Sequence, residues 1–94
     1  MKLGTFQKQP GERESFTITY EDALLAGDNV ATAVLKSISP VGTLIVDQVT
    51  VIDPRVRFWA EFGDTGVNYK ITFTVTTEDG RRFEDEVTIK VKEL

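Results

Sequence analysis

The stretch Gly63–Val91, GDTGVNYKITFTVTTEDGRRFEDEVTIKV, constrains this chain most. Val67, Tyr69, Ile71, Phe73 and Val75 alternate with Asn68, Lys70, Thr72, Thr74 and Thr76. A period of two gives a strand with one apolar and one wet face. Thr77-Glu78-Asp79-Gly80 supplies a turn, because glycine takes positive φ without steric cost. The return strand points Val87, Ile89 and Val91 inward and Thr88, Lys90 and Lys92 outward. A lone hairpin is at best marginally stable in water, so its apolar face demands a second layer from the rest of the chain.

The remaining sequence offers more short strands. Residues 3–8 suggest a first one, and Gln9-Pro10-Gly11-Glu12 a turn. Phe16, Ile18 and Tyr20 alternate with Ser15, Thr17, Thr19 and Glu21, a half-buried strand. Glu21 to Asp28 breaks the alternation with Ala and Leu, and predicts one helical turn whose Leu24 or Leu25, or both, plug an end of the core. Asn29–Ile38 reads as a strand of unclear parity: Val30 and Val34 compete with Ala31, Ala33 and Leu35 for the inward side. Ser39-Pro40-Val41-Gly42 is a turn. Thr43–Asp53 is β-branched, with a parity shift that places a bulge or tight turn at Asp47-Gln48. In Arg55–Phe62, Val56, Phe58, Ala60 and Phe62 face the core, while Arg55, Arg57, Trp59 and Glu61 face out. About seven strands joined by short turns predict a single immunoglobulin-like antiparallel β-sandwich, one domain over residues 1–94.

Tyr69, at the entrance to the sixth strand, suits a tyrosine corner: a buried ring with its hydroxyl bonded back to loop backbone. Asp85 falls on an inward position, where a lone carboxylate is costly. Either a bulge or an exposed strand is expected there.

Composition narrows the chemistry. There is no cysteine and no histidine, which removes thiolates and the commonest general base and transition-metal ligand. Glu21-Asp22, Glu78-Asp79 and Glu84-Asp85-Glu86 read as solvated charge rather than an acid–base pair across a cleft. Asp22, Asp28, Asp64 and Asp79 lie in loops without the spacing of a calcium site, so capping is expected and no cofactor or metal. A net charge of −4 argues against nucleic acid, and no apolar run approaches the ~18 residues of a membrane span. No signal-peptide pattern opens the chain, which points to synthesis in the cytoplasm. No enzyme is expected.

A family resemblance spans Lys8 to about Val91. It is carried by Lys8-Gln9-Pro10-Gly11-Glu12, Tyr20, Leu24-Leu25-Ala26-Gly27-Asp28-Asn29-Val30, Val56-Arg57-Phe58-Trp59-Ala60, Phe62-Gly63, Gly66-Val67-Asn68-Tyr69 and Thr76-Thr77-Glu78-Asp79-Gly80-Arg81. In this order they resemble the small immunoglobulin-like structural proteins of tailed bacteriophages and prophages, of tail or fibre-tail adaptor type. Members show a K-x-P-G-E turn, a tryptophan-rich segment before L-x-x-G-D-x-I, then V-x-V-W, a Gly-Gly loop, Y-x-V and T-x-x-G-R. Here the early tryptophans are replaced by Tyr20 and Ala23, and Gly-Gly reads Phe62-Gly63. The resemblance implies a non-enzymatic protein that docks other virion or tail proteins through sheet edges and loops, repeats as a homo-oligomer in the assembly, and resides in the virion tail. The competing reading is a binding module for a host-surface glycan or protein. Trp59, with Arg57, is the candidate partner contact under either: a large aromatic on a face otherwise written for water.

Overall fold

The computed structural model describes residues 2–93, and the side chains from Gly4 onward. Its seven strands are β1 (Lys2–Lys8), β2 (Arg13–Thr19), β3 (Val30–Ser39), β4 (Ile45–Ile52), β5 (Arg55–Glu61), β6 (Asn68–Thr77) and β7 (Arg82–Val91). They form two sheets, β1-β7-β6-β3 and β2-β5-β4. All neighbours run antiparallel except β1, which pairs parallel to β7. We call the end bearing the loops 9–12, 40–44 and 62–67 upper, and the end bearing 20–29, 53–54 and 78–81 lower.

The β6–β7 hairpin lies at the centre of the larger sheet, so both strands are paired on both sides. That explains their strict alternation. Tyr69, Ile71, Phe73, Val75, Val87 and Ile89 are fully buried and meet Val56, Phe58 and Ala60 from β5. The rings of Phe58 and Phe73 join the two sheets at 4.9 Å between centroids. The turn closes with Gly80 at φ +90°.

The strand of unclear parity is β3. Its register slips between Val30 and Thr32 and again between Leu35 and Ser37. Two bulges let Val30, Ala33, Leu35 and Ile38 all reach the core, a set no single alternation produces. In β4 the register slips between Asp47 and Thr50, and Gln48 takes φ +49°. The loop 20–29 makes one turn, with the Ala23 and Leu24 amides both donating to the Tyr20 carbonyl. Leu24 packs on the core while Leu25 is exposed, so one leucine plugs this end.

Asp85 corrects the expectation of a bulge or an exposed strand. It stays in register opposite Phe73 and is buried. Tyr20, the residue that follows β2, is brought near it from the other sheet: burial first, and then the proximity of Asp85, pushes the Tyr20 hydroxyl far above its ordinary range.

Candidate functional site

The outer face of the β2-β5-β4 sheet collects the side chains sequence alternation sends outward. Along β5 these are Arg55, Arg57, Trp59 and Glu61; beside them lie Arg13, Ser15, Thr17 and Thr19 of β2, and Ile45, Asp47, Thr50 and Ile52 of β4. Trp59 is half-buried, between Ser15 on one side and Asp47 on the other. No bulge turns it inward.

Three groups arrange themselves around the indole. The Arg13 guanidinium sits over its ring, 5.2 Å from the centroid. The same guanidinium reaches Asp47 Oδ1 at 2.9 Å and Glu61 Oε2 at 3.6 Å. This hydrogen bond to Asp47, against some desolvation, holds Arg13 above its ordinary pKa. Trp59 therefore lies under a fixed cationic lid.

One residue pair lower, Arg57 is different. It shares the face and strand of Trp59, opposite Thr17 and Thr50. Its Nε is buried with no hydrogen-bond partner, and among the described residues no carboxylate lies at ion-pair distance. Ile45 and Ile52, 46% and 45% exposed, bracket the two residues at either end of β4. A tryptophan, an arginine with an unused donor and two half-exposed isoleucines thus share one outer sheet face, a composition of the kind enriched where proteins meet.

The upper rim of this face is held from behind. Phe62, which follows Glu61, is half-exposed and sits at φ +62°, a rare conformation for a bulky residue. The buried ammonium of Lys8 donates to the Phe62 carbonyl, and to the Gln9 carbonyl at 2.7 Å. Desolvation lowers the Lys8 pKa, and the charges of Glu12 and Glu61 oppose that shift. The Gln9 amide donates to Glu12 Oε1 at 2.7 Å. Lys8-Gln9-Pro10-Gly11-Glu12 is thus a clamp, closed on itself by Glu12 and on the next loop by Lys8.

Tyr69 lies away from this face, in the other sheet, with its ring fully buried. Its hydroxyl accepts the Asp64 amide at 3.0 Å and donates to Asp64 Oδ2 at 2.6 Å. Asp64 Oδ2 also accepts the Thr43 amide at 3.2 Å. The tyrosine bond first, then Thr43, holds the Asp64 carboxyl below its ordinary range. Gly42 completes the arrangement: a Cβ there would collide with the Tyr69 hydroxyl and stand 2.7 Å from Asp64 Oδ2. At the lower end Asp28 is buried and accepts the amides of Asn29 and Asp79 at 2.9 and 3.0 Å. Asp53 accepts the Val30 amide at 2.8 Å. These aspartates cap backbone, and among the described residues no three carboxylates are placed to hold a metal.

Sequence reasoning found Trp59 and Arg57 through alternation. It missed Arg13, Asp47, Ile45 and Ile52 as their neighbours; the outward parity of Arg13 with Ser15 was the available signal. It sent Phe62 to the core with Val56, Phe58 and Ala60, whereas β5 ends at Glu61 and the positive φ of Phe62 leaves its ring half-exposed; and it gave Lys8 no structural role, because a buried ammonium facing carbonyls leaves no pattern in the sequence.

The family model described as podophage GP4 fiber-tail adaptor protein gp77 matches residues 8–90. No curated protein matches the chain. The match takes in most of the chain, and the protein belongs to this family of structural tail adaptors.

Proposed function

We propose that this member of the fiber-tail adaptor family docks a neighbouring tail protein on the outer face of the β2-β5-β4 sheet, with Trp59 and Arg57 at the centre of the contact. The observation that carries this reading is the unused buried Nε of Arg57 beside a half-buried tryptophan. A donor removed from water without a partner costs free energy, and an acceptor from a docked protein removes that cost. Trp59 supplies apolar area at little entropic expense because Arg13 already fixes it. The exposed Ile45 and Ile52 widen the contact. The role is structural and non-catalytic, and is exercised in the virion after assembly.

The test is incorporation into particles. Trp59→Ala and Arg57→Ala should fold, with circular dichroism unchanged, and yet be lost from purified virions. Wild-type incorporation by both variants would sink the assignment of this face. Blue-shifted Trp59 fluorescence on assembly is the matching spectroscopic result, since docking dries the indole.

A further inference from the structure

The two sheets do not match in width: four strands lie over three. On one flank β3 and β4 lie closely together, but on the other β1 and β2 touch at few points. Between β1 and β2 is a crevice of about 190 Å³, lined by Phe6, Thr17, Ile18, Thr19 and Val87. Its floor is apolar, since Ile18 and Val87 are buried and Phe6 stacks on Phe16 at 4.7 Å between centroids. The volume is comparable to the ~150 Å³ cavity that takes up benzene, so one branched or aromatic side chain fits.

The four strand edges also differ. Natural sheets protect edges with bulges, prolines and charged residues, most often lysine. The register slips in β1 between Lys2 and Gly4, twice in β3, and in β4 at a residue with positive φ. Only β2 runs in unbroken register, from Arg13 to Thr19. Its lower part, Ser15-Phe16-Thr17-Ile18-Thr19, carries no charge and no proline. The one unprotected edge is the edge beside the crevice.

We propose that the free edge of β2 accepts an extended segment of another virion protein, which adds as a fourth strand to the smaller sheet and seats one apolar side chain in the crevice between β1 and β2. This rests on the adaptor reading above and names the kind of partner it takes. The backbone bonds of an added strand supply affinity, and the crevice supplies register. The segment is uncharged where it meets Thr17 and Thr19, with alternating apolar and polar residues. A second copy of this sandwich is the weaker occupant. Antiparallel pairing of two β2 strands would bring the β1 strands of both copies to the same side of the joined sheet, into each other's way. A single strand avoids that collision.

Photo-crosslinking in assembled particles tests this. Benzoylphenylalanine is placed in turn at Thr17, at Thr19, at Trp59 and, as a control, at Thr72 on the outer face of the other sheet, and crosslinked peptides are identified by mass spectrometry. The expected result is that Thr17 and Thr19 capture one contiguous segment of a different virion protein and Thr72 does not. Crosslinks from Thr17 and Thr19 to this same chain would overturn the proposal in favour of a second copy. Yields no higher than at Thr72 would overturn it in favour of a free edge. If Trp59 still captures a tail protein in that case, the adaptor reading stands without the added strand; if no position captures one, both fail. Thr17→Lys and Thr19→Lys supply a second readout: each should lower incorporation about tenfold or more, with thermal melts unchanged. Full incorporation of both lysine variants would overturn the proposal by itself.

Discussion

The two outer faces of this protein rest on the same core and are written in different alphabets. The four-stranded face is built round a row of threonines, Thr72, Thr74 and Thr76 of β6, which lie opposite Glu86, Glu84 and Arg82 of β7 and opposite Ser37, Val34 and Thr32 of β3. It carries the cross-strand ion pair Lys36–Glu84 at 2.8 Å, and Val34 is its one exposed large apolar residue among the described ones. The three-stranded face carries arginines, a tryptophan and two isoleucines. Threonine satisfies β-propensity while keeping water as its partner. Tryptophan and arginine do their work only against another surface. Under the docking proposal, one face is finished in solution and the other is completed by assembly.

The strongest perturbation should erase the comparison altogether. Tyr69→Ala removes a fully buried ring beneath both faces and should cost roughly 3–5 kcal/mol in urea melts. Next, Trp59→Ala should separate the faces, costing ~2 kcal/mol or more of docking but far less stability than Tyr69→Ala. If its stability loss equals that of Tyr69→Ala, Trp59 belongs to the core and the contrast between faces collapses. Tyr69→Phe isolates the hydroxyl bonds to Asp64 and should cost on the order of 1 kcal/mol. Lys36→Ala, on the finished face, should change stability by under ~0.5 kcal/mol and leave incorporation intact.

Acid supplies a graded version of the same experiment. Asp64, held low by Tyr69 and Thr43, and Glu84, held low by its hydrogen bond from Lys36 and then that lysine's charge, both bind protons more weakly folded than unfolded. Their stabilisation is present above the ordinary carboxylate values of 3.8 and 4.5 and fades as pH falls below them. Urea midpoints should hold between about pH 6 and 5 and drop below about pH 4. Tyr69→Phe should lessen the Asp64 part of that drop. Melts in excess chelator and in millimolar Ca²⁺ should coincide, since Asp28, Asp53 and Asp64 are occupied by backbone amides.

What could be read in advance follows strand position. β6 and β7 are flanked by partners on both sides, so their alternation is strict and their faces were legible. β5, central in its sheet, was legible for the same reason, and it placed Trp59 and Arg57 outside. β3 is an edge with two bulges, and a bulge erases the parity on which such reading depends. Asp85 departed from expectation by staying in register opposite Phe73 and buried, near a Tyr20 that comes from the other sheet and that no local window contains. The Lys8 clamp was illegible for another reason: its acceptors are backbone carbonyls, which every sequence has.

The parallel pairing of β1 with β7 has a mechanical consequence. β1 begins at the lower end and β7 finishes at the upper end of a molecule 43 Å long and 19 Å wide. A pull applied to the two ends of the chain runs along these strands and in opposite senses. It loads the rungs from Gly4–Val87 to Lys8–Val91 together, in shear, where a hairpin pulled at its open end would lose them one at a time. Under the adaptor role proposed above, tension passed along the chain in this way would meet the ladder as a lap joint rather than as a zipper.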